Sequence, residues 1–430
     1  MRISLLGFSL IAVGCGTNSG SMDAAPLVDM AVASIDAATA PADLAKPDLA
    51  MPDLAMPDLA KPDLAMPDLA LPPPDLSPVF GLSAPTNITV GANATAVVTA
   101  DYNNDTKLDL VVGNDNDNTV NILLGNGAGS FTISQTYGTG TTGGVASLAL
   151  GNFGSSPRDI VVTSNNKKVS VLQMTGQTLV ATKVLSSGLS TTMPGIGKFD
   201  GDANLDLALP DVNSPSLSIY LGAGDGTFTA GPVSTVGPNP RTAIAGLLNN
   251  DPHLDLVVTN SGDGTVSVLI GKGNGTFETK VDYLTGANAN SGPNFMALAD
   301  LNGDTKLDLV VANGSTNTIG VLLGKGDGTF LATAPFTTAN NPRFPVLVDL
   351  NGDQKLDLAV GAGSSTKVHV HLGNGDGTFQ SKLDFAAGLA SVGGIAVGDF
   401  NGDTHPDLAA AVGAQPNGTV AILLNTSTWP

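Results

Sequence analysis

A nine-residue acidic motif returns about every fifty residues from position 101 to position 407 of this 430-residue chain. Complete copies occupy 101–109 (DYNNDTKLD), 300–308 (DLNGDTKLD), 349–357 (DLNGDQKLD) and 399–407 (DFNGDTHPD). Three further copies are altered. Residues 198–206 (KFDGDANLD) begin with lysine, 247–255 (LLNNDPHLD) begin with leucine, and 152–159 (NFGSSPRD) are one residue short and keep a single aspartate. Repetition on this scale means that each copy belongs to a supersecondary unit too small to bury its own apolar face. The units must therefore stack on one another.

Each copy is preceded by a short apolar stretch, such as Phe295-Met296-Ala297-Leu298-Ala299, and followed by a second, Leu307-Asp308-Leu309-Val310-Val311-Ala312. A third, Thr318-Ile319-Gly320-Val321-Leu322-Leu323, leads into a glycine-rich turn that ends at Phe330; the same turn precedes Phe131, Phe228, Phe277 and Phe379. Glycine supplies the positive φ that such hairpin turns need. All but one of the 38 acidic residues are Asp, the exception being Glu278, and Asp favours turns where Glu favours helices. Four short strands per repeat and seven repeats predict an all-β, seven-bladed β-propeller with four-stranded blades over 79–430. The last copy lacks the glycine-rich turn and a fourth strand, whereas 79–90 belong to no local repeat. The ring is therefore expected to close by pairing these two ends.

One tryptophan in the chain excludes a WD-type repeat. The D-x-N-x-D-x-x-x-D loops and L-G-x-G-x-G-T-F turns instead resemble the FG-GAP/VCBS repeats of integrin-α-like propellers, over essentially all of 79–430. The resemblance implies fold more than function, because such propellers serve adhesion, lectin-like binding and attachment to enzymes.

Oxygen donors at positions 1, 3, 5 and 9 of a tight loop, with the carbonyl of position 7, form a cage for a hard cation. The expected ligand sets are Asp101, Asn103, Asp105, Lys107 and Asp109; Asp300, Asn302, Asp304, Lys306 and Asp308; Asp349, Asn351, Asp353, Lys355 and Asp357; and Asp399, Asn401, Asp403, His405 and Asp407. The lysines and His405 would serve through the backbone carbonyl alone. About four Ca²⁺ are expected, since three carboxylates per site suit calcium better than magnesium. Position 6, often glycine in the family, is Thr106, Thr305, Gln354 and Thr404 here, which leaves its backbone open. In 198–206, Lys198 is expected to compete with a cation for the site. Isolated Asp-Gly pairs such as Asp225-Gly226 are ordinary turns.

The N-terminal segment reads differently. Residues 3–13 are an apolar run too short to span a bilayer, so 1–14 are expected to be an export signal. Ala12-Val13-Gly14-Cys15 resembles the acylation site of bacterial lipoproteins, with Cys15 the lipidated residue of an outer-membrane or cell-surface protein; a plain secretory signal is the other reading. Residues 15–78 repeat a Pro-Asp-Leu-Ala unit, which builds no core and is expected to be an extended tether.

A formal net charge of −20 argues against a nucleic-acid partner. None of the serine-hydrolase, zinc-protease or phosphate-loop motifs occurs, so no enzyme is expected. His369 and His371, alternating on one strand face, are expected to be structural. A binding or adhesion module is the expectation, its partner a surface polymer, glycan or protein and its membrane contact the lipid anchor alone. The alternative is a lectin or carbohydrate-active enzyme using the face opposite the calcium loops. That face would carry the loops 113–119, 259–265 and 312–318, with Arg241 and Arg343 near the channel.

Overall fold

In a computed structural model the apolar stretches become strands. The structure describes residues 80–428, apart from 141, 155–157, 165–166, 176–177 and 188, and these contain no helix. The expected export signal at 1–14, acylation at Cys15 and tether at 15–78 lie outside the described residues.

Each repeat folds into an antiparallel meander, giving seven sheets. The blade carrying the 300–308 motif is built from Pro293–Ala299, Asp308–Asn313, Thr318–Gly324 and Phe330–Ala332, with Phe336–Thr337 prolonging the outer edge. The second strand of this blade is buried along its whole length, which explains its unbroken apolar run. The outer strand of the first blade, Phe131–Gly138, is mostly solvated.

The apolar interior lies between blades rather than within them. Seven clusters of buried side chains form, each shared by two neighbouring blades; Val346 with Ile395, and Ala297 with Leu347, are examples. The two sequence motifs meet there. The turn amide of Gly275 donates to the carbonyl of Phe199 in the preceding blade's loop at 2.7 Å, and Gly328 does the same to Leu248 at 2.8 Å. The phenylalanine after the turn packs edge-on against the loop's second residue, as in Phe277 on Phe199 with centroids 5.8 Å apart.

Closure occurs as the sequence predicts. Thr86–Thr89 forms the fourth strand of the last blade, pairing Thr86 with Ile422 and Thr89 with Thr419. Ser83 N donates to Leu424 O at 2.8 Å, extending the seam. Val97 and Leu110 then pack against Ala396 and Ala409, so the first and last blades share a core like every other pair.

Five inner strands slip register near their starts, between Ala94 and Ala96, Pro240 and Ala243, Pro293 and Phe295, Arg343 and Val346, and Val392 and Ile395. A bulge re-aims the side chains around it. These five lie at the end of the channel away from the acidic loops, which follow the other end of each inner strand.

Candidate metal loops and the channel recess

The four complete loops share one hydrogen-bond pattern. The Asn at position 3 accepts from the amide of position 5, as Asn302 Oδ1 does from Asp304 at 3.0 Å. Position 5 accepts from the amide of position 7, as Asp304 Oδ1 does from Lys306 at 3.0 Å. The first carboxylate reaches over the loop to the amide of position 6: Asp101 to Thr106 at 3.0 Å, Asp300 to Thr305 at 2.8 Å, Asp349 to Gln354 at 2.8 Å and Asp399 to Thr404 at 2.9 Å. Those four position-6 residues take left-handed φ values of 70°, 67°, 65° and 73°. Threonine is poorly suited to that region, so the loop must hold it there.

Two altered loops retain the inner bonds and lose those of the first residue. Asp200 accepts from Asp202 and Asp202 from Asn204; Asn249 accepts from Asp251 and Asp251 from His253. Their first residues, Lys198 and Leu247, have no carboxylate, and Ala203 and Pro252 at position 6 are outside the left-handed region. Among the described residues, Lys198 makes no ion pair with the acids of its loop, so it does not take the cation's place. Asp200, Asp202 and Asp206 bring one oxygen each within 4.8 Å of one another, an acidic cluster able to hold a metal. Among the described residues no complete loop brings three carboxylates so close; each supplies an Asn at position 3 instead.

The last aspartate has a second task that the ligand pattern conceals. Asp109, Asp159, Asp206, Asp255, Asp308, Asp357 and Asp407 are all fully buried. In the fifth blade, Asp308 accepts from Leu301 N at 2.9 Å and from Gly324 N at 2.8 Å; Asp255 accepts from Leu248 and Gly271, and Asp206 from Phe199 and Gly222, in the same way. The carboxylate thus clasps the loop to the end of the third strand. Burial raises the carboxyls of Asp109, Asp206, Asp255, Asp308, Asp357 and Asp407 above their usual range, Asp357 to about 7 and Asp407 to about 6. Lys107, Lys306 and Lys355 send their ammonium groups to the position-5 carboxylates, with 3.9, 3.2 and 3.7 Å between them. Their backbones remain the only donors they offer a cation.

The histidines are structural in their contacts. His369 pairs with Asp384 at 2.7 Å and Ser365 at 3.0 Å, while His371 meets Gln380 O at 3.0 Å and Thr338 Oγ1 at 2.9 Å. Both ring nitrogens are engaged in each.

At the opposite end, the bulges open a recess of about 460 Å³. Arg241 and Arg343 both line it, as their shared place in the repeat predicts. Around them stand Asp115, Asn294, Asn341 and the stacked pair Phe295 and Phe344, whose centroids are 4.0 Å apart. Phe344 holds a φ of 44°, an outlier for a bulky residue. Burial lowers the pKa of both guanidinium groups. Arg241 Nε donates to Ser261 Oγ at 3.3 Å. Asp115 is held by Asn93 Nδ2 at 3.1 Å, and burial raises its carboxyl.

The asparagine-rich loops give less to this face than their composition implies. Asn114, Asn260 and Asn313 are fully buried and bond inward, Asn260 to Thr265 and Ser267 at 2.9 Å each. The phenylalanine pair has no clear sequence signature; only the spacing of Phe295 and Phe344 within adjacent repeats hints at it.

The model of the FG-GAP-like repeat matches residues 101–154, 248–311, 300–360 and 349–410. No curated protein sequence is matched. Among solved structures, BBS1N in its complex with ARL6DN is 14% identical, covers 81% of this chain and 97% of that one, and superposes with a TM-score of 0.56. The β-propeller domain of Cps50 (Swd1) from Myceliophteria thermophila is 11% identical over 80% of this chain and 99% of that one, with a TM-score of 0.53. An Agrocybe aegerita lectin recognising non-reducing terminal N-acetylglucosamine is 20% identical over 71% and 81%, at a TM-score of 0.46. Likenesses at these identities carry the fold alone.

Proposed function

The chain belongs to the FG-GAP-like repeat family, and we propose that it is a calcium-stabilised propeller, anchored at the cell surface through Cys15, that presents a binding face opposite its acidic loops. The single observation that carries the calcium reading is the left-handed position 6, present in the four loops with a first aspartate and absent from 198–206 and 247–255. Strained backbone held by a carboxylate belongs to a loop shaped for a ligand. The donor set fits a hard cation: a side-chain oxygen at each of positions 1, 3, 5 and 9, with one peptide carbonyl. The residues that hold it would be those of the loops starting at Asp101, Asp300, Asp349 and Asp399. Calcium supplies charge neutralisation there, and the chain's own residues supply the turn.

The binding role is supported by the recess, which gathers arginine, amide and aromatic groups from separate blades. Among the described residues that line it the only carboxylate is Asp115, whereas glycoside hydrolysis ordinarily requires a pair. A binder is therefore favoured over a carbohydrate-active enzyme. The partner is a surface polymer, glycan or protein.

Thermal melting of the full chain in millimolar Ca²⁺ and in chelator tests the metal reading, by mass action on sites formed only in the folded state. The melting temperature is expected to rise with calcium. Superimposable curves would remove calcium from the proposal.

A further inference from the structure

We infer that the channel recess is a subsite for one carboxylate-bearing sugar ring, a uronic-acid-type unit at the end of a polysaccharide, with Arg241 and Arg343 taking the carboxylate. The inference rests on the binding-face reading above and narrows it to one ligand chemistry.

The chain has four arginines against 38 acidic residues, so carboxylates are plentiful. Six lysines use them: Lys107, Lys280, Lys306, Lys355, Lys367 and Lys382 form ion pairs. Arg241 and Arg343 differ from these six lysines in standing together inside a recess. Among the described residues neither is ion-paired, although both are half-buried in the same recess. A partly desolvated cation without an anionic partner is costly unless a ligand supplies one. Guanidinium is planar and matches a carboxylate with two parallel hydrogen bonds.

Space has been cleared for this group. A Cβ on Gly363 would stand 2.7 Å from Arg343 Nε, and one on Gly314 would stand 2.5 Å from Asn294 Nδ2 and 2.9 Å from Asn341 Oδ1. The side-chain amides of Asn294 and Asn341 have no hydrogen-bond partner among the described residues, and they face the cavity ready for hydroxyl groups. Phe295 and Phe344 add an apolar wall for the C–H face of a ring. The volume lies within the range of small-ligand sites and holds one or two rings.

Charge outside the recess decides how the polymer meets it. A chain of net charge −20 repels a polyanion lying along it and tolerates one acidic unit inserted end-on. A peptide carboxylate is the competing source, and the two free amides beside an aromatic wall favour the sugar.

Isothermal titration of the purified full chain with methyl glucuronide and methyl galacturonide tests the subsite, with methyl glucoside and an acidic dipeptide alongside. At least one uronide should bind saturably and the glucoside should not. Arg343→Gln and Arg241→Gln should each weaken that binding about ten- to a hundredfold, the loss of a charge-assisted bond. Lys272→Gln, the same charge change at an exposed site outside the recess, should leave it unchanged. Should Arg343→Gln not fold, Arg343→Lys keeps the charge, loses the fork and is expected to weaken binding about tenfold. Equal binding of the glucoside, tighter binding of the dipeptide, or uronide binding indifferent to both arginines would each overturn the inference. Absence of uronide binding, with a glycan or protein partner still found in a wider screen, overturns the subsite and leaves the binding module standing. Absence of any partner overturns both.

Discussion

Residues 300–308 and 247–255 occupy the same hairpin in consecutive blades, yet only one has its first aspartate. Both keep the last: Asp308 and Asp255 are fully buried and each takes two backbone amides. In the loop without the first aspartate, position 6 leaves the left-handed region, while the inner bonds of positions 3 and 5 are kept. The motif is therefore two devices written over one another. Its last residue belongs to the propeller; its first shapes position 6 of the loop and, on the calcium proposal, serves the cation.

The sharpest way to break this division is to remove the last residue from each loop. Asp308→Ala and Asp255→Ala each strip the partner from two buried amides, at about 1–3 kcal/mol apiece. Both should lose on the order of 3 kcal/mol in chemical denaturation, with or without calcium. A large loss at Asp308 alone, or one restored by calcium, would show that the last aspartate serves the metal first.

Next in size is the first residue. Asp300→Ala should reduce the calcium-dependent rise in melting temperature, while Asp251→Ala should leave it unaltered. The reverse exchange is more demanding. Lys198→Asp should add a calcium site, because Asp200, Asp202 and Asp206 already converge and Ala203 can turn. Leu247→Asp should add none, because Pro252 holds φ near about −65° at position 6. Counting bound calcium in the two variants checks this; a gain in both would make the left-handed residue irrelevant.

Acidity sharpens the comparison further. Without metal, Asp357 titrates at about 7 and Asp407 at about 6, raised first by burial. A carboxyl whose folded value exceeds its unfolded value holds its proton more tightly when folded. Stability is then gained as pH falls through 7 and 6, and lost as pH rises through them. Asp105, Asp251 and Asp304 run the other way, lowered by the backbone amide two residues on, and they lose stability below about pH 4. In chelator the chain should melt a few degrees higher at about pH 5.5 than at about pH 7.5. Calcium, which requires the ionised form, should raise the melting temperature more at the higher pH. A chelated protein that gains stability as pH rises over that interval would contradict the burial of these groups.

Much of this is legible in the sequence itself. The period placed seven blades, and the orphan stretch preceding the first motif, set against the missing strand after the last, put the seam within 79–90, where Thr86–Thr89 pairs. The clasp is written there too: the last aspartate is kept in all seven copies, even in the shortened 152–159. Its fit to a ligand position hides its use as a hydrogen-bond acceptor. The left-handed threonines are not legible, because β-branching argues against that conformation and only the Asp at position 1 imposes it. The recess is half legible. Pro240-Arg241 and Pro342-Arg343 share a place in their repeats, but the bulges that turn Phe344 onto Phe295 depend on pairing between strands and leave no local signal.

The smallest expected effect concerns the loop at 101–109, which differs from the other three complete ones at position 2. Leu301, Leu350 and Phe400 there are wholly apolar, and the altered loops have Phe153, Phe199 and Leu248. Among these position-2 residues Tyr102 alone brings a hydroxyl into the space between blades, where it is buried without a hydrogen-bond partner among the described residues, and burial together with Asp109 raises its pKa. A buried hydroxyl left unsatisfied costs about 1 kcal/mol or more. Tyr102→Phe keeps the ring and removes that cost, so it should stabilise the chain by about 1 kcal/mol. Because position 2 faces the core and offers the cation nothing, the response to calcium should be the same as in the parent. A variant that melts lower, or that loses its calcium response, would mean that the hydroxyl is engaged and that this loop is built differently from the other three.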